Sequence, residues 1–204
     1  DYSGSTAIVL LWGGGGGGGR DSSTGSGGGA GSNCQIGVCP LSDLGATETI
    51  TLGQGGPGRN NNGNGNTGTN STFGSLLTSY GGNGGVEDTL GEFSQGSTPF
   101  GTGSRSTNAS RDLFAGSILA GGYGAEPTAD NTGGNAVFGG AGGGSCDRFG
   151  AGGAGGTSII GGNGGQGQGD SNGDDGAIPG GGGGATEDNT SGSGGDGECW
   201  VLIF

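Results

Sequence analysis

Seven consecutive glycines, residues 13–19, constrain this chain more than any other feature. Glycine has no side chain to bury, so such a run adds nothing to an oily core. Once removed from water it can be ordered only through its backbone N–H and C=O groups, which then need partners. The run follows the apolar stretch Ala7-Ile8-Val9-Leu10-Leu11-Trp12. The only comparable stretch is Cys199-Trp200-Val201-Leu202-Ile203-Phe204. Both are rich in β-branched and aromatic residues, as strands are. We read 7–12 and 199–204 as two strands that pair and bracket a single glycine-rich domain, 1–204.

The rest of the chain repeats the problem. Glycine supplies 64 of 204 residues, while Leu, Ile, Val and Phe together supply only 31. Chains so poor in large apolar residues are often disordered. Collagen is the other glycine-rich solution, but there is no strict Gly-X-Y register and only five prolines. A third solution suits the composition better. Glycine chains can form a left-handed threefold helix with polyproline-II dihedrals, whose N–H and C=O groups point sideways. Helices of this kind, stacked together, satisfy one another, and only glycine lets them approach. The expected fold is therefore irregular and glycine-rich. It is a bundle of polyglycine-II helices with a few short β-strands and almost no α-helix.

The formal net charge is −13, with no Lys and no His. Phosphate backbones and anionic membranes would be repelled, so neither nucleic acid nor a membrane is an expected partner. No apolar run approaches the ~20 residues of a membrane span. The chain opens on Asp1 without Met and shows no signal-peptide pattern, so it reads as a processed protein or a segment of a longer one. The four cysteines, Cys34, Cys39, Cys146 and Cys199, form no C-x-x-C pair. An even count without His points to two disulfides and an oxidising compartment. Of the three pairings, Cys34–Cys39 as a small loop and Cys146–Cys199 as a tie to the last strand are expected.

Several readings follow along the chain. Residues 34–45 read as a short cysteine loop, with turns at Gly37 and Pro40. Thr47-Glu48-Thr49-Ile50-Thr51-Leu52 alternates like a strand. Phe73-Gly74-Ser75-Leu76-Leu77 is an apolar island. Residues from about 86 to 120 are the least glycine-rich and read as a variable insertion, with 111–120 as a short helix or folded loop. From Gly121 onward, glycine pairs separated by single residues suit a threefold helix.

Catalysis has little to work with. Residues 13–19 match G-x-G-x-x-G, but no helix follows to hold a pyrophosphate. A P-loop needs lysine. Asp170-Ser171-Asn172-Gly173-Asp174-Asp175-Gly176 fails the EF-hand pattern, since Asp175 stands where its glycine belongs. Without His there is no Ser-His-Asp arrangement. Glu87-Asp88 and Asp174-Asp175 read as surface charge rather than a glycosidase pair. No enzyme activity, cofactor or metal is expected. Trp12 and Trp200 read as packing residues of the two terminal strands. Tyr80, Phe93, Phe100, Phe114 and Tyr123 lie between glycine clusters and are the candidate contacts of a recognition surface. Three Asn-X-Ser/Thr sequons, at Asn70, Asn108 and Asn189, would accept N-linked sugars.

A family resemblance rests on several of these stretches. Thr6-Ala7-Ile8-Val9-Leu10-Leu11-Trp12-Gly13-Gly14-Gly15 and Ile50-Thr51-Leu52-Gly53-Gln54-Gly55-Gly56 resemble segments of the glycine-rich domain of bacteriophage tail-fibre and tail-tip adhesins. So do Thr72-Phe73-Gly74-Ser75-Leu76-Leu77-Thr78, followed by Gly81-Gly82-Asn83-Gly84-Gly85, and Ile178-Pro179-Gly180-Gly181-Gly182-Gly183-Gly184-Ala185. The resemblance implies a sandwich of polyglycine-II helices on an extracellular or virion protein. It also implies loops that touch a bacterial surface receptor. The alternative is a structural subunit that assembles with copies of itself into an extracellular filament by exchanging terminal strands.

Overall fold

The computed structural model describes residues 5–87, 93–99, 105–106, 118–127, 131–147, 150 and 152–204. Ten short strands occur in the described part. They are β1 (Thr6–Trp12), β2 (Gly25–Ser26), β3 (Cys34–Pro40), β4 (Ile50–Thr51), β5 (Ser71–Phe73), β6 (Leu77–Ser79), β7 (Phe93–Ser94), β8 (Arg105–Ser106), β9 (Cys146–Asp147) and β10 (Cys199–Ile203). One 3-10 turn, Leu41–Asp43, is the only helical element among the described residues. The fold is irregular, with small antiparallel sheets and almost no helix, as composition implied.

The two terminal strands do pair. β10, β1 and β3 form an antiparallel sheet in that order, with Val9 opposite Val201 and Gly37. Ala7, Val9 and Leu11 alternate along β1 and are fully buried, the two-residue period of a strand with an inner face. Val9 and Leu11 meet Phe73 of β5, with Leu44, Leu77 and Cys199 packed around them. β5 and β6 make a hairpin, and Gly74 at its turn has φ +51, the left-handed region where glycine is favoured. Trp12 is fully buried and its indole N–H donates to the Phe138 carbonyl. Its ring meets that of Trp200 edge-on, with centroids 5.1 Å apart, a favourable aromatic geometry.

Below this sheet the glycine runs become extended rods with a three-residue repeat. Along 13–19, the N–H groups of Gly14 and Gly17 donate to Thr69 and Asn66. Those of Gly15 and Gly18 donate to Gly195 and Gly192, and those of Gly16 and Gly19 to Ala30 and Gly27. The carbonyls of the same rod accept from Gly82 and Gly85, from Gly56, and from Gly183 and Thr186. Each third residue thus returns to the same neighbour, and the rod has six. Rods 27–33, 140–145 and 180–186 repeat the pattern; 27–33, for example, donates to the rods around 83–86, 119–125 and 180–183.

Tracing these bonds places the described rods on one hexagonal net, in four rows. The rows are 53–58, 190–195, 174–177; then 64–70, 13–19, 180–186, 162–168; then 81–87, 27–33, 140–145, 152–156; and last 94–97, 119–125, 131–134. The interior rods carry mostly small side chains, such as Ala30, Ala141, Ala185 and Ser145, all fully buried, with the larger Asn33 and Thr186 buried at rod ends. A Cβ added to Gly14, Gly15, Gly16, Gly17 or Gly18 would fall less than 3.0 Å from a neighbouring carbonyl oxygen.

At the end of the net nearest the sheet, where a neighbour is missing, buried hydroxyls replace it. Ser79 Oγ accepts from the Gly13 N–H (2.9 Å) and donates to the Asn33 carbonyl (2.8 Å). Ser71 Oγ accepts from the Gly53 N–H (2.8 Å) and donates to the Trp12 carbonyl (2.6 Å). A serine hydroxyl both donates and accepts, so one side chain closes two open backbone groups.

Two sequence readings need correction. Residues 34–40 are not a cysteine loop but the edge strand β3. Gly37 there faces the Leu77 side chain, which a Cβ would strike, and Pro40 ends the strand. The strand read at 47–52 shrinks to Ile50–Thr51, because only those residues pair with β5.

Candidate functional site

None of the four cysteines is in a disulfide, against the expected Cys34–Cys39 and Cys146–Cys199 bonds. The reason is geometric. Five residue steps along extended strand β3 separate Cys34 from Cys39, about 16 Å, where a disulfide needs Cα atoms about 5.5 Å apart. Cys146 lies in β9 opposite Ser26, whereas Cys199 lies in β10 opposite Leu11, in a different sheet. Burial pushes the Cys34 thiol up to about 12, only partly offset by a hydrogen bond with the Leu11 backbone. Burial also raises Cys199. Such thiols are poor nucleophiles, because the thiolate is the reactive form.

The aromatic candidates scatter. Tyr80 is half-buried beside the net; its N–H donates to Asn33 Oδ1 (2.7 Å) and its carbonyl accepts from Ser97 Oγ (2.8 Å). Tyr123 is half-buried with its ring against Gly134. The backbone of Phe93 pairs with Ser106 across β7 and β8; its side chain lies outside the described part. Phe100, Phe114 and Asn108 lie outside the described residues, as does most of the 86–120 insertion. Asn70 is exposed, and its Oδ1 accepts from the Gly81 N–H (3.0 Å). Asn189 is exposed in the turn between rods 180–186 and 190–195.

A shallow cleft of about 330 Å³ is lined by Asn172, Asp174, Asp175, Thr190, Ser191 and Ser193. Two of its side chains are committed to the net: Asp175 Oδ1 accepts from the Ser193 N–H (2.7 Å) and Asn172 Oδ1 from the Thr190 N–H (3.1 Å). Among the described residues no group of three His, Cys, Asp or Glu side chains could hold a metal ion. No described helix is long and apolar enough to cross a membrane.

The most distinctive surface is the outer face of the terminal sheet. Directly opposed residues share a face, so Val38, Ile8 and Leu202 form one cross-strand row and Ile36, Leu10 and Trp200 the next. Val38 is 67% exposed and Trp200, Leu202 and Ile36 about two-fifths. Contiguous apolar surface of this kind marks an interaction site more often than scattered residues do. Sequence reasoning passed over it, although a signal was present. Residues 7–12 are apolar at every position, whereas a strand with one solvated face alternates.

A family model for a glycine-rich domain matches residues 2–203, nearly the whole chain. No curated protein matches it.

Proposed function

The chain belongs to the glycine-rich domain family, and we propose that it serves as a non-enzymatic recognition module, extracellular or carried on a virion. In this reading the rods are polyglycine-II helices, and the body is a scaffold whose loops bind a bacterial surface receptor, as in the phage tail-tip adhesins that the chain resembles. The observation that carries it is the hexagonal net. Its three-residue repeat and six neighbours per interior rod fit the threefold helix. A body held together by backbone bonds leaves the loops between rods free to vary without disturbing the interior, which is the division of labour in loop-bearing scaffolds. The long insertion between 86 and 120, which itself supplies rod 94–97 of that net, would carry the binding surface.

The test is attachment of the labelled chain to a panel of bacterial cells. A variant in which 100–116 is replaced by a Gly/Ser linker should melt like the parent and lose attachment. Undiminished attachment by that variant would refute the loop reading. A second reading, a structural subunit that joins copies of itself, is favoured by the apolar terminal sheet with its open edge.

A further inference from the structure

The ladder between β1 and β10 determines which backbone groups of β10 face outward. Thr6 and Phe204 exchange both bonds, N–H to carbonyl, at 3.3 and 3.0 Å. Antiparallel pairs alternate between bonded and non-bonded positions. Leu202 and Trp200 therefore bond to Ile8 and Leu10, and Cys199, Val201 and Ile203 turn their N–H and C=O groups away from the sheet. Among the described residues no strand lies beyond them.

The opposite edge differs. On β3 the Cys34 N–H already donates to the Leu119 carbonyl (2.8 Å), Pro40 has no N–H, and Leu77 of β6 packs against Gly37. Proteins usually guard a bare edge with charge, proline or a bulge. β10 reads Cys-Trp-Val-Leu-Ile and has none of these. Charge narrows the occupant. With a formal net charge of −13, two copies of this chain repel over most of their surface. They can approach where charge is absent, and the uncharged edge of β10 and the apolar face beside it form such a place.

We propose that β10 docks a second copy of this chain through its own β10, antiparallel, about a two-fold axis at Val201. Val201 of one copy then faces Val201 of the other, and Cys199 faces Ile203. Each Val201 N–H donates to the carbonyl of its counterpart. The two three-stranded sheets become one six-stranded sheet with a continuous apolar outer face. A two-fold contact uses the same patch on both copies and closes on itself, so the product is a dimer and not a fibre. It also leaves β1 and β10 paired within each chain, unlike an exchange of terminal strands.

Sedimentation over a wide concentration range tests this on the intact chain. The parent should show a reversible monomer–dimer equilibrium. Val201→Pro removes only an outward N–H and keeps the ladder to β1, so it should sediment as a monomer with an unchanged melting temperature. Should that variant unfold, Val201→Lys supplies the same disruption by charge and retains the N–H. Val201→Cys should yield, on mild oxidation, a dimer whose linked peptides join position 201 to itself. A monomeric parent at every concentration overturns the proposal. So does a dimer that survives both Val201→Pro and Val201→Lys, or open polymers, which would require a head-to-tail contact.

Discussion

The terminal sheet and the glycine net remove backbone from water in two different ways. In the sheet each residue bonds within a plane, side chains alternate, and the interior consists of Val9, Leu11 and Phe73. In the net successive residues turn by a third of a circle, bonds leave in all directions, and the interior is backbone. The sheet is specified by what its side chains are. The net is specified by where side chains are missing. One region should therefore respond to lost volume and the other to added volume.

The largest effect should come from the smallest addition. Gly16→Ala places a methyl less than 3.0 Å from the Asn83 carbonyl oxygen, where only backbone can yield. A loss above about 4 kcal/mol is expected, enough to prevent folding of a marginal domain. Gly45→Ala, in an exposed turn, should stay within about 0.5 kcal/mol. Urea melts of the pair measure the contrast, and equal effects would break it.

Next comes subtraction from the sheet. Leu11→Ala empties a fully buried site and should cost about 3 kcal/mol while the chain still folds. Thermal unfolding checks both parts of that statement.

The smallest effect concerns a polar end of the net. Asp21 is almost fully buried, which opposes its ionisation. Hydrogen bonds from Thr24 Oγ1 (2.6 Å), Ser23 Oγ (2.7 Å) and the Ser23 N–H (2.9 Å) outweigh burial and hold its carboxyl below the usual 3.8. A carboxyl with a lowered folded value adds stability above the unfolded value and loses it as pH falls through the folded one. Asp21→Asn should therefore be modestly less stable than the parent at neutral pH, with the gap closing below about pH 3.8. A gap independent of pH would assign the effect to packing instead.

The two regions also differ in how far the sequence announces them. β1 and β10 are legible because apolar β-branched runs are scarce in this chain and these two are the longest. Gly37 and Pro40 mislead, because in most chains they mark turns. Here Gly37 makes room for Leu77, and Pro40 sits where a strand stops. The rods are legible as rods, but their arrangement is not. A glycine reads the same whichever neighbour it meets, so nothing in residues 13–19 says that Gly15 bonds to Gly195 rather than to any other carbonyl. The relays at Ser71 and Ser79 are hidden for a related reason. A buried serine that closes two backbone groups has the same letter as one in a flexible linker. The outer apolar face could have been found, since it needs only the unbroken apolar run of β1.

The neighbours of rod 13–19 carry a consequence for the order of events in folding. Three of its six partners, 27–33, 53–58 and 64–70, follow within a few dozen residues, but Gly183 and Gly192 come more than 160 residues later. Closing loops of that size before any bond forms is what makes non-local folds slow. During synthesis the rod at the centre of the net emerges among the first and is completed among the last. Until then its amides are bonded to water. Having no side chains, the waiting glycine stretch offers other chains little apolar surface to stick to.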